Sequence, residues 1–266
     1  MTRIRLELAE DSGLTEVTDS SSHNASGAHD ALRGRYPVTT RPAAAVFRWF
    51  HETWYERLKR YASLPKNSIY SRILGADNIR LGTGNMIKGI NGVRIGHSFR
   101  ALDHLWLDAI QGDKFGRRYN PSLVIGDNVV FGCFVHVAAT HCVRIGNDVL
   151  VGSRVMITDH NHGNYRGDAQ SEPSERPADR QLTGDAETIV DDNVWIGNGA
   201  VILPGARIGR GSIIGANSVV NSVIPAECIA AGSPAQPIKQ YDHRSKMWLR
   251  VAGIPADGRG RHKATS

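Results

Sequence analysis

The sequence predicts an all-β solenoid, a parallel β-helix of short strands, and three observations lead there. In "VDDNVWIGNGAVILPGARIGRGSIIGANSVVNSV", Val190, Ile196, Ile202, Ile208, Ile214 and Val220 recur at every sixth position without a miss. The same step runs upstream through Ile125, Phe131 and Val137 in "VIGDNVVFGCFVHV", and through Ile145, Val151 and Ile157 in "RIGNDVLVGSRVMI". With 28 glycines and 7% aromatic residues, something other than a large aromatic core must organise the chain. Six residues make one short strand and a turn, so the apolar side chain that opens each repeat points inward while Gly and Asn take the tight corners. Three such hexads close a triangular coil of about 18 residues. Each coil buries its apolar side only against its neighbours, so the stack needs caps at its ends.

Taken in order, residues 1–40 form a flexible leader, rich in Ser, Asp, Gly and Ala ("TDSSSHNASGAHD") and without sustained periodicity. Residues 41–65 form an amphipathic helix: Phe47, Phe50, Trp54, Leu58 and Tyr61 follow steps of three and four, and Pro65 stops the run. Its apolar stripe has two readings, packing on the main domain or contact with a membrane surface, since basic residues share its polar side. The solenoid occupies residues 66–235. Its sixfold register fails after Ile157 and returns at Val190, so residues 161–187, which include Pro173 and Pro177, must leave the prism as a loop. Residues 236–266 are expected to form a short C-terminal helix and a basic tail, with seven Lys/Arg against two acids.

Composition narrows the function classes. The net charge is +6 with a pI near 9.4, which admits anionic partners, but no aromatic-interleaved basic motif points to nucleic acid. Cys133, Cys142 and Cys228 are odd in number and lack CxxC spacing, so neither a disulfide framework nor a Cys-based zinc site is expected. There is no apolar run of membrane-spanning length and no secretory h-region in "MTRIRLELAEDSG". The expectation is a cytoplasmic chain with at most peripheral membrane contact.

The segments "IGDNV", "VLVGSRVMITDHNHG", "VDDNVWIGNGAVILPGARIG" and "AGSPAQPIKQYDHRSKMW" resemble, in order and spacing, the hexapeptide-repeat acyltransferases over roughly residues 73–250. The likeness is strongest to the branch that O-acetylates lipopolysaccharide and exopolysaccharide sugars, and extends to maltose and galactoside acetyltransferases. It implies a left-handed β-helix, an exception to the usual right-handed crossover. It also implies a homotrimer, acetyl-CoA as co-substrate between neighbouring prisms, and a sugar or glycan acceptor, free or linked to a lipid or nucleotide. No metal is expected.

The resemblance also implies a general-base histidine where the loop begins. Counting eight residues on from Gly152 lands on His160. An alcohol attacking a thioester must shed a proton as the bond forms, and imidazole titrates near neutrality. Asp159 or a backbone carbonyl would fix its tautomer, and a backbone N–H of the loop or of a neighbouring subunit would serve the oxyanion. His162 competes for the role, because side chains at i and i+2 alternate sides in an extended segment and only one can face the thioester. For acetyl-CoA the resemblance points to Trp195, Gly197, Gly199, Gly215, Ala216 and Lys239, the small residues making room for pantetheine and Lys239 meeting a phosphate. For these glycines, and for Pro234, turn formation is the competing reading.

This chain also departs from its relatives. A glutamate of the maltose and galactoside acetyltransferases falls on Thr183, and an acceptor-pocket asparagine falls on Gly132. These departures favour a different glycan over a small free sugar as acceptor. Asp103, His104 and Asp108 interrupt the repeats and either shape an acceptor pocket or cap an irregular coil. Two other functions fit the same solenoid. His136 and His141 evoke a trimeric zinc hydratase of the γ-carbonic-anhydrase type, although zinc ordinarily needs three protein ligands and a third is not evident. A non-catalytic scaffold is the other.

Overall fold

A computed structural model describes residues 67–251 except 185. The leader, the helix expected over 41–65 and the tail beyond 251 lie outside the described residues. Residues 67–74 are helical, so the solenoid starts later than expected. Tyr70 and Leu74 pack from this helix against the core.

From Arg80 the chain winds through three parallel faces. The first begins with Arg80–Leu81 and climbs through Arg100–Ala101, Val130–Phe131, Leu150–Val151, Trp195–Ile196 and Ile213–Ile214 to Cys228–Gly232. The second runs from Met86–Lys88 through Trp106–Ala109, His136–Ala139 and Met156–Thr158 to Val201–Ile202 and Val219–Val220. The third runs from Val93–Ile95 through Ser122–Ile125, Cys142–Ile145 and Thr188–Val190 to Arg207–Ile208 and Val223–Ile224. Inside the prism stand the sixfold residues: Ile125, Phe131, Val137, Ile145, Val151, Ile157 and the series from Val190 to Val220 are each at most 2% exposed. A second inner ring, two residues earlier, holds Val129, Val135, Val149, Val155, Val194, Ala200 and Ala206.

The glycine followed by Asp or Asn in each repeat has a physical cause. At one corner the residue after each glycine donates its N–H to the side chain one coil above: His97 to Asp127 (2.7 Å), Asp127 to Asn147 (2.8 Å) and Asn147 to Asp192 (2.7 Å). The accepting side chain lies where a Cβ on the glycine would have to go. At another corner, a Cβ on Gly152 would come within 2.7 Å of the Asn198 backbone nitrogen. Gly152→Ala is therefore expected to lower stability by about 1–3 kcal/mol through overpacking, read as a lower urea midpoint.

Two segments leave the prism. Residues 110–121 bulge between the second and third faces of one coil, and residues 159–187 do so two coils later. The longer excursion carries an antiparallel pair, Asn161–His162 with Leu182–Thr183, and a 3-10 turn at Pro177–Asp179. Lys114 bonds Asp179 at 2.7 Å and ties the excursions together.

Among the described residues after 235, the expected C-terminal helix does not form. Ala235–Asp242 turns back antiparallel on Cys228–Gly232, and Met247–Arg250 adds a further antiparallel strand. The last coil leaves a strand edge whose N–H and C=O groups need partners, and a returning hairpin supplies them where a helix would not. The reversal contains Pro234, in a cis Ser233–Pro234 peptide.

Candidate active site

The second face ends at Thr158, where the chain turns out of the prism. The next residue, Asp159, is fully buried. Its carboxylate accepts the backbone N–H groups of Thr140 (2.9 Å) and His141 (2.8 Å), which sit one coil below. Its Oδ1 also lies 2.9 Å from Nδ1 of His160. Burial pushes the Asp159 carboxyl up, but hydrogen bonds from His160, Thr140 and His141 outweigh it, and the group titrates below the ordinary carboxylate range. An ionised carboxylate only accepts, so Nδ1 carries a proton, and in the neutral ring the lone pair is that of Nε2. Thr158 Oγ1, 3.1 Å from the same Nδ1, restrains the ring further. Only 10% of the His160 side chain is exposed.

His162 is placed differently. It is exposed within the antiparallel pair opposite Leu182, and its carbonyl accepts the Tyr165 hydroxyl. The described residues give it no carboxylate partner. The chain thus carries one oriented imidazole and one solvated imidazole at the break.

Because the Asp159 carboxyl is depressed on folding, its contribution to stability is fully present above the unfolded carboxylate value of about 4. That contribution fades as pH falls through the lower folded value. Urea unfolding of wild type and Asp159→Asn should therefore differ most at neutral pH and converge below about pH 4; a constant gap across that window would contradict the assignment.

Beside this pair, the outward side of the second face carries Trp106 stacked on His136, with ring centroids 4.1 Å apart, and Lys88 over the indole at 5.0 Å. Burial holds His136 below the usual imidazole range, against the opposing pull of Asp108. Among the described residues, His136 Nε2 and Trp106 Nε1 are buried without hydrogen-bond partners. His141 stands exposed past the other end of that strand. Among the described residues, no group of three or more His, Cys, Asp or Glu side chains is arranged to hold a metal.

The other sequence-predicted residues separate by role. Asp103 accepts Thr83 N–H and Oγ1–H as part of a coil-to-coil corner, and His104 stacks on Phe134 at 4.7 Å. Asp108 is outward on the second face, between Lys88 and Ala138. Gly132 packs against Ser153, Gly197 against Ala216, and Gly199 and Gly215 against Asn217 and Ala231, so each is small because the next coil is close. Thr183 bonds the Gly163 carbonyl at 2.6 Å. Trp195 is half exposed on the first face between Leu150 and Ile213, and Lys239 pairs with Ile229 and Arg250 in the terminal hairpin. One outward column thus runs from Leu150 and Trp195 through Ile213 and Ile229 to Lys239. Sequence reasoning missed Thr140: its link to Asp159 spans 19 residues and exists only once the coils stack.

With this geometry in place, comparison assigns the class. The chain belongs to the hexapeptide-repeat acyltransferase family: residues 187–222 match the profile described as bacterial transferase hexapeptide, six repeats. WbbJ of Escherichia coli (strain K12), provisionally named a lipopolysaccharide biosynthesis O-acetyl transferase, is 39% identical over 166 residues, 62% of this chain and 80% of its own. A galactoside O-acetyltransferase of Lactococcus lactis is 32% identical over 133 residues, 47% of this chain and 62% of its own. Among solved structures, AntD, an N-acyltransferase from Bacillus cereus in complex with dTDP and 3-hydroxybutyryl-CoA, overlays 68% of this chain and 90% of its own with TM-score 0.46 and 18% identity. The fold is the family's left-handed β-helix, and the enzyme class is that of acyl-CoA-dependent O-acetyltransferases. Among the described residues no helix is long and apolar enough to cross a membrane.

Proposed function

We propose that the chain transfers acetyl from acetyl-CoA to a hydroxyl of a sugar destined for surface polysaccharide, with His160 as general base. The observation that carries this is the buried Asp159 carboxylate holding His160 Nδ1 where the solenoid opens. The acceptor oxygen attacks the thioester carbonyl as its proton passes to Nε2. Asp159 stabilises the resulting imidazolium. Collapse of the tetrahedral adduct breaks the C–S bond, and the imidazolium returns the proton to the departing thiolate. No enzyme nucleophile is acylated, so both substrates must be bound together.

The polysaccharide context is supported by the likeness to WbbJ. The outward column of Leu150, Trp195, Ile213 and Ile229 ending at Lys239 supports a run for pantetheine with a cation at its end. The family's assembly supports a homotrimer in which a neighbouring prism completes the thioester site, and use of acetyl-CoA supports a cytoplasmic location.

The test is CoA thiol release from acetyl-CoA over a panel of polysaccharide precursors, with wild type, His160→Ala and His162→Ala. Acceptor-dependent release that fails only in His160→Ala supports the reading. Equal loss in both variants, or no release with any acceptor, counts against it.

A further inference from the structure

The two excursions enclose a cleft of about 660 Å³ that none of the roles above uses. Its floor is the corner between the second and third faces, at Thr140 and His141, whose backbone N–H groups hold Asp159. The cleft therefore shares Thr140 and His141 with the network that holds the Asp159 carboxylate, while His160 itself does not line it.

The charge in the cleft is one-sided. Arg118 enters from the shorter excursion and Arg144 from the third face, and both side chains are exposed. Among the described residues neither guanidinium has a carboxylate within ion-pair distance. Glu187 is the sole acid among the described lining residues, and it pairs with Arg207 at 3.4 Å. The neighbouring Arg117 is held by Asp113, which also accepts from Tyr119 and from backbone N–H groups of Phe115 and Arg117. The turn that presents Arg118 is thus anchored by its own bonds, while Arg118 itself is left over.

We propose that this cleft reads an anionic group on the acceptor, a phosphoryl or a carboxylate one residue or linkage away from the hydroxyl acetylated, through Arg118 and Arg144. Guanidinium forks match the planar or trigonal oxygens of both groups. The proposal rests on the acetyltransferase reading for the name of the ligand, and not for the existence of the anion site.

The experiment separates the two. Isothermal titration without acetyl-CoA compares glucose, galactose and mannose 1-phosphates and glucuronate with the corresponding neutral methyl glycosides, using wild type, Arg118→Gln/Arg144→Gln and Arg118→Lys/Arg144→Lys. A charged sugar should bind wild type at least about tenfold more tightly than its neutral partner. The glutamine pair should abolish that preference and the lysine pair should retain part of it, with unchanged thermal melts. The better charged ligand then says whether the group is phosphoryl or carboxylate. Equal binding of charged and neutral sugars, or a preference that survives the glutamine pair, overturns the proposal. Arginine-dependent anion binding in a protein that turns over no acceptor would leave the anion site standing and overturn the acetyltransferase reading instead.

Discussion

Replacing His160 by alanine is expected to lower kcat for acetyl transfer by roughly 10²–10⁴-fold, the usual worth of a positioned general base. The Km for acetyl-CoA should move little, because the imidazole acts on the acceptor's proton. Asp159→Asn should fall between wild type and His160→Ala. An amide can still occupy the site, yet it can accept or donate, so it no longer dictates which imidazole nitrogen holds the proton. Restoring the lost base from solution offers an independent check: added imidazole should partly rescue His160→Ala and leave Asp159→Asn unimproved. His162→Ala should retain most activity, because His162 stands in solvent and, among the described residues, has no carboxylate to set its tautomer. If His162→Ala were the dead variant, the oriented pair would be a structural staple for the loop, and the base would be the solvated ring.

Much of this site's scaffold was legible in the sequence, for a reason that particular residues show. A solenoid repeats one physical problem coil after coil, so Val190 to Val220 announce their inward positions by spacing alone, and the structure buries each of them. The break at Ile157 was legible because the same rule fails there. What spacing cannot convey is which residues meet across coils. Thr140 bonding Asp159, and Lys114 reaching Asp179, depend on how much chain is spent in each excursion. The glycines show a different limit. Gly197, Gly199 and Gly215 are explained fully by the close approach of the next coil, so their smallness says nothing about a cofactor. The terminal hairpin was missed because strand propensity matters less at that point than the open edge it covers.

Phe131→Ala is expected to be the most destabilising single truncation considered, by about 3–5 kcal/mol. The ring is fully buried on the first face, and its edge meets Phe99 with centroids 5.2 Å apart and planes at 83°. Losing that arrangement removes apolar burial and an aromatic pair worth about 0.5–1.5 kcal/mol beyond its area. The hole cannot close, because Ala101 below and Val151 above are fixed by the ladder of parallel strands. In a stack where each coil is supported only by its neighbours, the damage should also be local. Hydrogen exchange should therefore quicken first in the coils around Val130–Phe131, while the coils from Trp195 onward keep their protection. Equilibrium urea unfolding gives the size of the effect and exchange gives its reach. A uniform loss of protection along the whole chain would show that the coils unfold as one unit, and that nearest-neighbour support is the wrong description of what holds the Asp159–His160 corner in place.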